Sequence, residues 1–329
     1  MEVNMFHEGL THTLITNLLI LMIAFIFDLI LGDPPSKLHP VVWMGFVIGR
    51  AKRLNRGSRT ARSILGSLVA ISTILLFSIP IYLILYVASN FSYVIYVLAS
   101  GVMLKFSFAF RSLADYTKPI ADKLVVGDID GARRYIPYIA RRDPSKLNGE
   151  LITSTTVESI AESTVDGITS PLFYFALLGV PGAIAYRVAN TLDSMLGYKT
   201  QDLKDFGWFS ARLDTILNFI PARLTALIMV FSALLLKLNW RNSLRISLRD
   251  HTKTESLNAG WPMSAMAGAL NVRLVKVGFY ELGDPIEKLE PRHIIQAIKV
   301  MRMTVLLYII IICLTLLALR CTILIPWVM

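Results

Sequence analysis

Glu158 and Glu162 stand four residues apart in "ESIAESTVDGITS", and Asp166 follows at the next turn or just past the helix end. On a helix that spacing sets the carboxylates along one edge. Such an edge could hold Mg²⁺ and orient nucleotide phosphates, or it could be a plain solvated acidic face. Asn190 and Asp193, three apart, could also face together, with Arg187 before them and Arg212 and Asp214 after them in "SARLD". Arg223, in "NFIPARLTA", borders an apolar run. A guanidinium there can neutralise a transferring phosphoryl group or clamp a carboxylate. It can equally be an interfacial anchor whose aliphatic stem snorkels to water.

Asp28 lies three residues before the end of an apolar run, and Gly32, Asp33 and His39 follow in "DLILGDPPSKLHPV". A carboxylate within hydrocarbon is costly unless paired or near water, so Asp28 is expected to reach an interfacial site. His39 by itself is weak evidence for acid–base chemistry. Arg111 and Asp115 are a further four-spaced pair, whose plain reading is an intrahelical ion pair. Asn258, Gly260, Trp261 and Pro262 form a turn before a small-residue helix, suited to close packing and also to leaving room for a bulky ligand. No Walker-type phosphate loop, zinc-binding cysteine cluster, HExxH or serine-hydrolase elbow is present. Cys313 and Cys321 both fall in the last hydrophobic segment and read as small apolar residues.

The elements that must position these groups are membrane helices. Of 329 residues, 54% are hydrophobic and only 17% charged, against roughly a quarter charged in a soluble domain; mean hydropathy is +0.58. Spans are predicted at 14–31, 64–88, 91–109, 222–238 and 305–328, with Ser89 and Asn90 turning the second into the third and Pro80 kinking the second. The first lacks a basic leader and a cleavage site, and reads as a retained span. A sixth stretch, 171–189, is interrupted by Gly179, Pro181 and Gly182. The net charge of +10 collects in three basic blocks, 33–63, 110–170 and 239–304. This is the pattern of cytoplasmic loops, without the interleaved aromatics of a nucleic-acid binder. Six spans put all three blocks inside but leave the polar residues 190–215 outside. Five spans, with 171–189 re-entrant, keep those groups together.

Within 110–170 the sequence predicts a helix start near Asp128, a break at Asp143-Pro144 and a helix from Leu147 to Thr164. No alternation of a separate sheet domain is found. The expected fold is therefore all-α and polytopic, one membrane-embedded domain over residues 1–329, with five or six membrane segments. Residues 110–170 and 239–304 are expected as helical cytoplasmic connections.

In order along the chain, "LGDPP…HPV", "FRSLAD", "GD…AR", "RRDPSKL", "ESIAESTVDGITSPLFYFALLGVPGAIAYRVANTLDSMLGY", "FGWFSARLDTILNFIPARLTA" and "NAGWPMSAMAGALNVRL" resemble the CobD/CbiB family of cobalamin biosynthesis, the adenosylcobinamide-phosphate synthases. The resemblance covers roughly three quarters of the chain. Two positions depart from the family pattern: Ser163 stands where Asn is favoured and Thr215 where Asp is common.

The resemblance implies a multi-pass cell-membrane ligase with its active site on the cytoplasmic side. Its expected reaction joins (R)-1-amino-2-propanol, or the O-phosphate, to the corrinoid adenosylcobyric acid at the expense of ATP. In that chemistry Glu158, Glu162 and Asp166 are expected around Mg²⁺–ATP, and Arg212 and Arg223 on phosphate or carboxylate. Asp33 and His39 are expected at the amine. Asn190 and Asp193 would hold the corrinoid side chain or the metal, and Asn258 and Trp261, in the Asn258–Pro262 turn, would border the corrin ring. Asp28, Arg111 and Asp115 complete the expected substrate-binding set. Other late corrinoid-pathway membrane enzymes are expected partners, and nucleic acid is not. The alternative function is a transporter or binding subunit for a corrinoid or another anionic solute.

Overall fold

A computed structural model of the chain describes the backbone of residues 2–198 and 200–324, and the side chains of 11–320 apart from Ser36 and Lys199. Cys321 therefore lies outside the described side chains.

Local chemistry sets most helix ends. Helix α1 (Glu2–Leu31) stops at Gly32, whose φ of 63° lets its N–H return to the Asp28 carbonyl at 2.9 Å. Helix α2 (Pro40–Ala51) starts on His39, whose Nδ1 accepts from the Val41 N–H, with proline in its first turn. Ser58 caps α3 (Arg59–Phe91), which runs through Pro80 as one helix, and Ser92 caps α4 (Tyr93–Lys105). After a break come α5 (Phe110–Val125), α6 (Ile129–Arg133) capped by Asp128, and α7 (Ile136–Ile139). Asn148 caps α8 (Gly149–Thr164), and a π-helical turn, Val165–Thr169, leads to α9 (Ser170–Leu196).

The remainder comprises α10 (Trp208–Leu217), α11 (Phe219–Leu235), α12 (Trp240–Asp250) and α13 (Gly260–Ala269). An antiparallel hairpin follows, β1 (Leu274–Lys276) and β2 (Tyr280–Leu282), with Val275 opposite Glu281. Then come α14 (Arg292–Tyr308), a second π turn at Ile309–Cys313, and α15 (Leu314–Leu324).

Among the described residues five helical runs are long and apolar enough to cross a membrane: Thr11–Leu31, Arg59–Phe91, Tyr93–Val125, Gly149–Leu196 and Arg292–Arg320. The pair Trp208–Leu217 and Phe219–Leu235, interrupted at Asn218, raises the count to six. Helix α3 turns Gly66, Ala70 and Thr73 inward and leaves Leu68, Leu76 and Leu83 exposed. Small residues within and large aliphatics outside are what a lipid-facing helix requires. The chain is a multi-pass, all-α membrane protein.

Several bounds differ from expectation for physical reasons. The last run begins at Arg292 and not near 305, because the polar first turns of α14 still bury His293, Ile294 and Ala297. Helix α11 ends at Leu235, ahead of Lys237, which takes a φ of 57°. The third apolar run continues beyond 109 into α5. Gly149–Leu196 spans 48 residues, about twice what one crossing needs.

The chain divides into two compact units. The first holds residues 1–109, 170–217 and 310–329; the second holds 110–169 and 218–309. In the first, α9 packs on α2, α3, α4, α10 and α15, and α1 lies along α4. In the second, α8 is central, with Ile152, Val157, Ile160 and Ala161 fully buried, and packs on α5, α13, α14 and β1. The α12–α13 contact explains the small residues of α13: a Cβ at Gly268 would stand 2.5 Å from the Asn242 carbonyl oxygen. That close approach lets Ser243 Oγ donate to the Ala265 carbonyl at 2.8 Å.

Candidate active site

Each unit gathers its own polar groups. In the first, the end of α1 supplies Asp28 and the hook beyond it supplies Asp33 and His39. They converge on a residue that the sequence did not single out, Lys105 at the end of α4. Its Nζ donates to Asp33 Oδ1 at 2.8 Å and lies 4.0 Å from Asp28 Oδ1. Lys105 is 4% exposed and Asp28 0%, so each charge depends on the other's neutralisation. His39 Nε2 lies 3.6 Å from Asp33 Oδ1, beyond hydrogen-bond range. Because its Nδ1 accepts the cap of α2, a neutral His39 carries its proton on Nε2, facing Asp33.

Asn190 on α9 pairs with Asp214 on α10, Nδ2 to Oδ1 at 3.2 Å, so the partner that the structure gives it is Asp214. Asp193, half-buried one turn on, lies against Gly197, where a Cβ would stand 1.9 Å from its Oδ1. Arg212 is exposed on α10.

In the second unit Glu158 is the hub. Its Oε2 accepts from Arg142 Nη2 at 2.6 Å and from the Tyr280 hydroxyl at 2.7 Å, and its Oε1 accepts from Ser154 Oγ at 2.8 Å. The Val275 N–H donates to Ser154 Oγ at 2.7 Å, tying the hairpin to the same helix face. Burial, then the neighbouring Glu158 charge, push the Tyr280 hydroxyl well above its ordinary pKa, so it acts as a donor. Glu158 is 2% exposed, which overturns the solvated-face reading at that position. Glu162 is exposed and Asp166 half-buried further along the edge. Among the described residues no group of three or more His, Cys, Asp or Glu side chains is placed to hold a metal ion.

Arg223, Asn258 and Trp261, far apart in sequence, do come together. Arg223 Nη1 donates to the Phe219 carbonyl at 2.6 Å and to Asn258 Oδ1 at 3.3 Å. Its guanidinium lies 3.5 Å from the Phe219 ring centroid and 5.3 Å from that of Trp261, and His251 stacks on Trp261 at 3.9 Å. The quadrupoles of the two rings attract the cation and help hold it in place. Arg111 and Asp115 form the plain intrahelical pair at 3.0 Å, both well exposed.

Lys105 had a signal, a lone charge closing an apolar run. Arg142 lay within the "RRDPSKL" motif without an assigned task. Tyr280 had none, since its place is fixed by a hairpin of three-residue strands, whereas Ser154 carried only its four-residue spacing from Glu158 on α8.

The sequence model of the CobD/Cbib protein family matches residues 21–320. The "Probable cobalamin biosynthesis protein CobD" of Methanothermobacter thermautotrophicus is 42% identical over 289 residues, 88% of this chain and 94% of that protein. The "Cobalamin biosynthesis protein CobD" of Dehalococcoides mccartyi is 41% identical, covering 84% of this chain and 90% of its own length. The Thermoplasma acidophilum "Probable cobalamin biosynthesis protein CobD" is also 41% identical, over 91% of this chain and 97% of that protein. No solved structure matches. The chain belongs to the CobD/CbiB family of cobalamin-biosynthesis proteins.

Proposed function

We propose that the protein is a membrane ligase that joins (R)-1-amino-2-propanol, or its O-phosphate, to adenosylcobyric acid with consumption of ATP. The product is adenosylcobinamide or its phosphate. The family supports a late corrinoid-pathway role; the observation that carries the chemistry is the Glu158 edge of α8, locked by Arg142, Ser154 and Tyr280. That lock gives the rest of the edge, Glu162 and Asp166, a rigid mounting. Magnesium is commonly held by one or two carboxylates plus the phosphates of its nucleotide. Glu162 and Asp166 are assigned to an ion arriving in that way, and Glu158, whose two oxygens accept hydrogen bonds from Arg142 and Ser154, is assigned to holding the edge in place. When bound, Mg²⁺ would offset the charge of the β- and γ-phosphates.

The reaction divides into two steps. A carboxylate oxygen of the corrinoid acid attacks the γ-phosphorus, the bond to the β-phosphate oxygen breaks, and ADP leaves. Arg223, held against Phe219 and Asn258, and the exposed Arg212 are assigned to the phosphoryl oxygens, where cations offset the spreading negative charge. The neutral amine then attacks the acyl carbon and phosphate departs. Asp33 receives the ammonium proton, with Lys105 fixing its carboxylate and His39 turning Nε2–H toward it. Asp28 supports Lys105. Asn190 and Asp193 are assigned to the corrinoid side chain, Asn258 and Trp261 to the ring edge, and Arg111 and Asp115 to a peripheral contact. In this assignment the polar hook is on the cytoplasmic side.

The test is reconstitution of the full chain with adenosylcobyric acid, Mg-ATP and each amine, followed by product mass and ADP release. An amide product with one ADP per turnover is expected. Movement of corrinoid across vesicles without a new amide would replace the ligase with the transporter reading. Glu162→Gln is expected to lower turnover and weaken magnesium dependence; normal values for both would remove the α8 edge from the chemistry.

A further inference from the structure

Away from these clusters, the first unit holds a cavity of about 740 Å³ at the end that carries the α3–α4 turn. Its polar lining includes Tyr82 and Tyr86 of α3, Tyr96 of α4 and Arg320 of α15, with Thr13, Asn17 and Ser89, and most of the remaining wall is apolar, Leu178 among it. Arg320 is fixed by the fold: Nη1 donates to the Phe175 carbonyl at 3.1 Å, and Nη2 to Asn17 Oδ1 at 2.9 Å. Beside it α9 breaks at Gly179, whose φ of 72° and ψ of −166° belong to a region reserved for glycine. Irregular backbone within a spanning helix is tolerated where it lines a cavity in the protein. Tyr82, Tyr86 and Leu178 are more than half exposed, so the mouth opens on the lipid-facing surface.

One cation and three phenols on a largely apolar wall match a molecule with a phosphate at one end and hydrocarbon at the other. A free phosphate would use the guanidinium and leave most of the wall without a partner. The geometry points to a binding site for one anionic phospholipid, its phosphodiester on Arg320 and a chain along Leu85 and Leu178. The site is separate from the proposed ligase chemistry and does not rest on it.

The full chain, delipidated in detergent, is the material for the test. Native mass spectra should retain one phosphatidylglycerol, and that lipid should raise the unfolding temperature more than phosphatidylcholine does. Arg320→Gln and Leu178→Trp should each weaken retention at least tenfold, and soluble glycerol phosphate should give no shift. Should Arg320→Gln fail to fold, Leu178→Trp, which leaves the Arg320–Asn17 bond intact, decides alone. Equal effects of the two lipids, full retention by Leu178→Trp, or a shift reproduced by glycerol phosphate would each overturn the proposal.

Discussion

Replacing Arg142 with Met tests whether the α8 edge is organised as described. Arg142 and Glu158 form a 2.6 Å ion pair with side chains only 16% and 3% exposed. Removing the cation while Glu158 stays buried leaves Ser154 and Tyr280 as its donors, and breaking such a pair costs about 3–5 kcal/mol. With roughly 2–4 °C per kcal/mol for a folding unit of 150–250 residues, the unfolding temperature should fall by about 6–20 °C. Of the five tryptophans only Trp240 and Trp261 lie in the second unit, so a background with Trp43, Trp208 and Trp327 changed to Phe makes fluorescence in a thermal scan report that part of the molecule. Arg142→Met/Glu158→Gln should recover much of the loss, because the second change removes the stranded charge. Tyr280→Phe, which removes one hydrogen bond to a charged group, should cost about 1.5–3 kcal/mol. If Arg142→Met unfolds within about 2 °C of the parent, or the double variant is no better than the single, Glu158 is not a buried hub.

The other perturbations act on separate features. Lys105→Met should destabilise the first unit by about 3–5 kcal/mol by stranding Asp28, and adding Asp28→Asn should repair part of this; equal stability of parent and single variant in detergent scans would contradict the pairing. Burial alone would raise the Asp250 carboxyl, but hydrogen bonds from Arg249, Lys253 and the Gly283 N–H hold it at about 2, below the usual 3.8. Its folded value is depressed, so its stabilisation, about 2 kcal/mol, is complete above pH 4 and is lost as pH falls toward 2. Acid titration of unfolding should show this decline, and Asp250→Asn should flatten it. Gly179→Ala should destabilise by about 1–3 kcal/mol, because alanine cannot hold that backbone conformation without strain; a neutral result in the same scan would count against the break in α9.

What sequence disclosed here is what is local. Hydropathy over 64–88 locates α3, and Gly32 marks where α1 ends, because caps and apolar runs depend on neighbours within a few residues. The same holds for Asp128, whose side chain caps its own helix. Pairing at a distance was not legible. Tyr280 reaches Glu158 across 122 positions, and Lys105 reaches Asp33 across 72. No periodicity encodes such meetings. Strands three residues long carry too little alternation to announce a hairpin, and the polar first turns of α14 hide a helix that tertiary packing sustains. Arg223, Asn258 and Trp261 were individually visible, but only the fold makes them neighbours.

The bond between Arg320 and Asn17 joins residues 303 positions apart, and that separation governs how the first unit can be made. Helix α1 emerges from the ribosome well before α15, on which it packs. The early membrane helices must therefore wait, inserted but incompletely packed, through the whole of the intervening translation. Contacts of such range form slowly and leave apolar intermediates open to wrong partners. Losing α15 would thus injure helices made long before it, and expression yield should respond to its removal more sharply than its eleven residues would suggest.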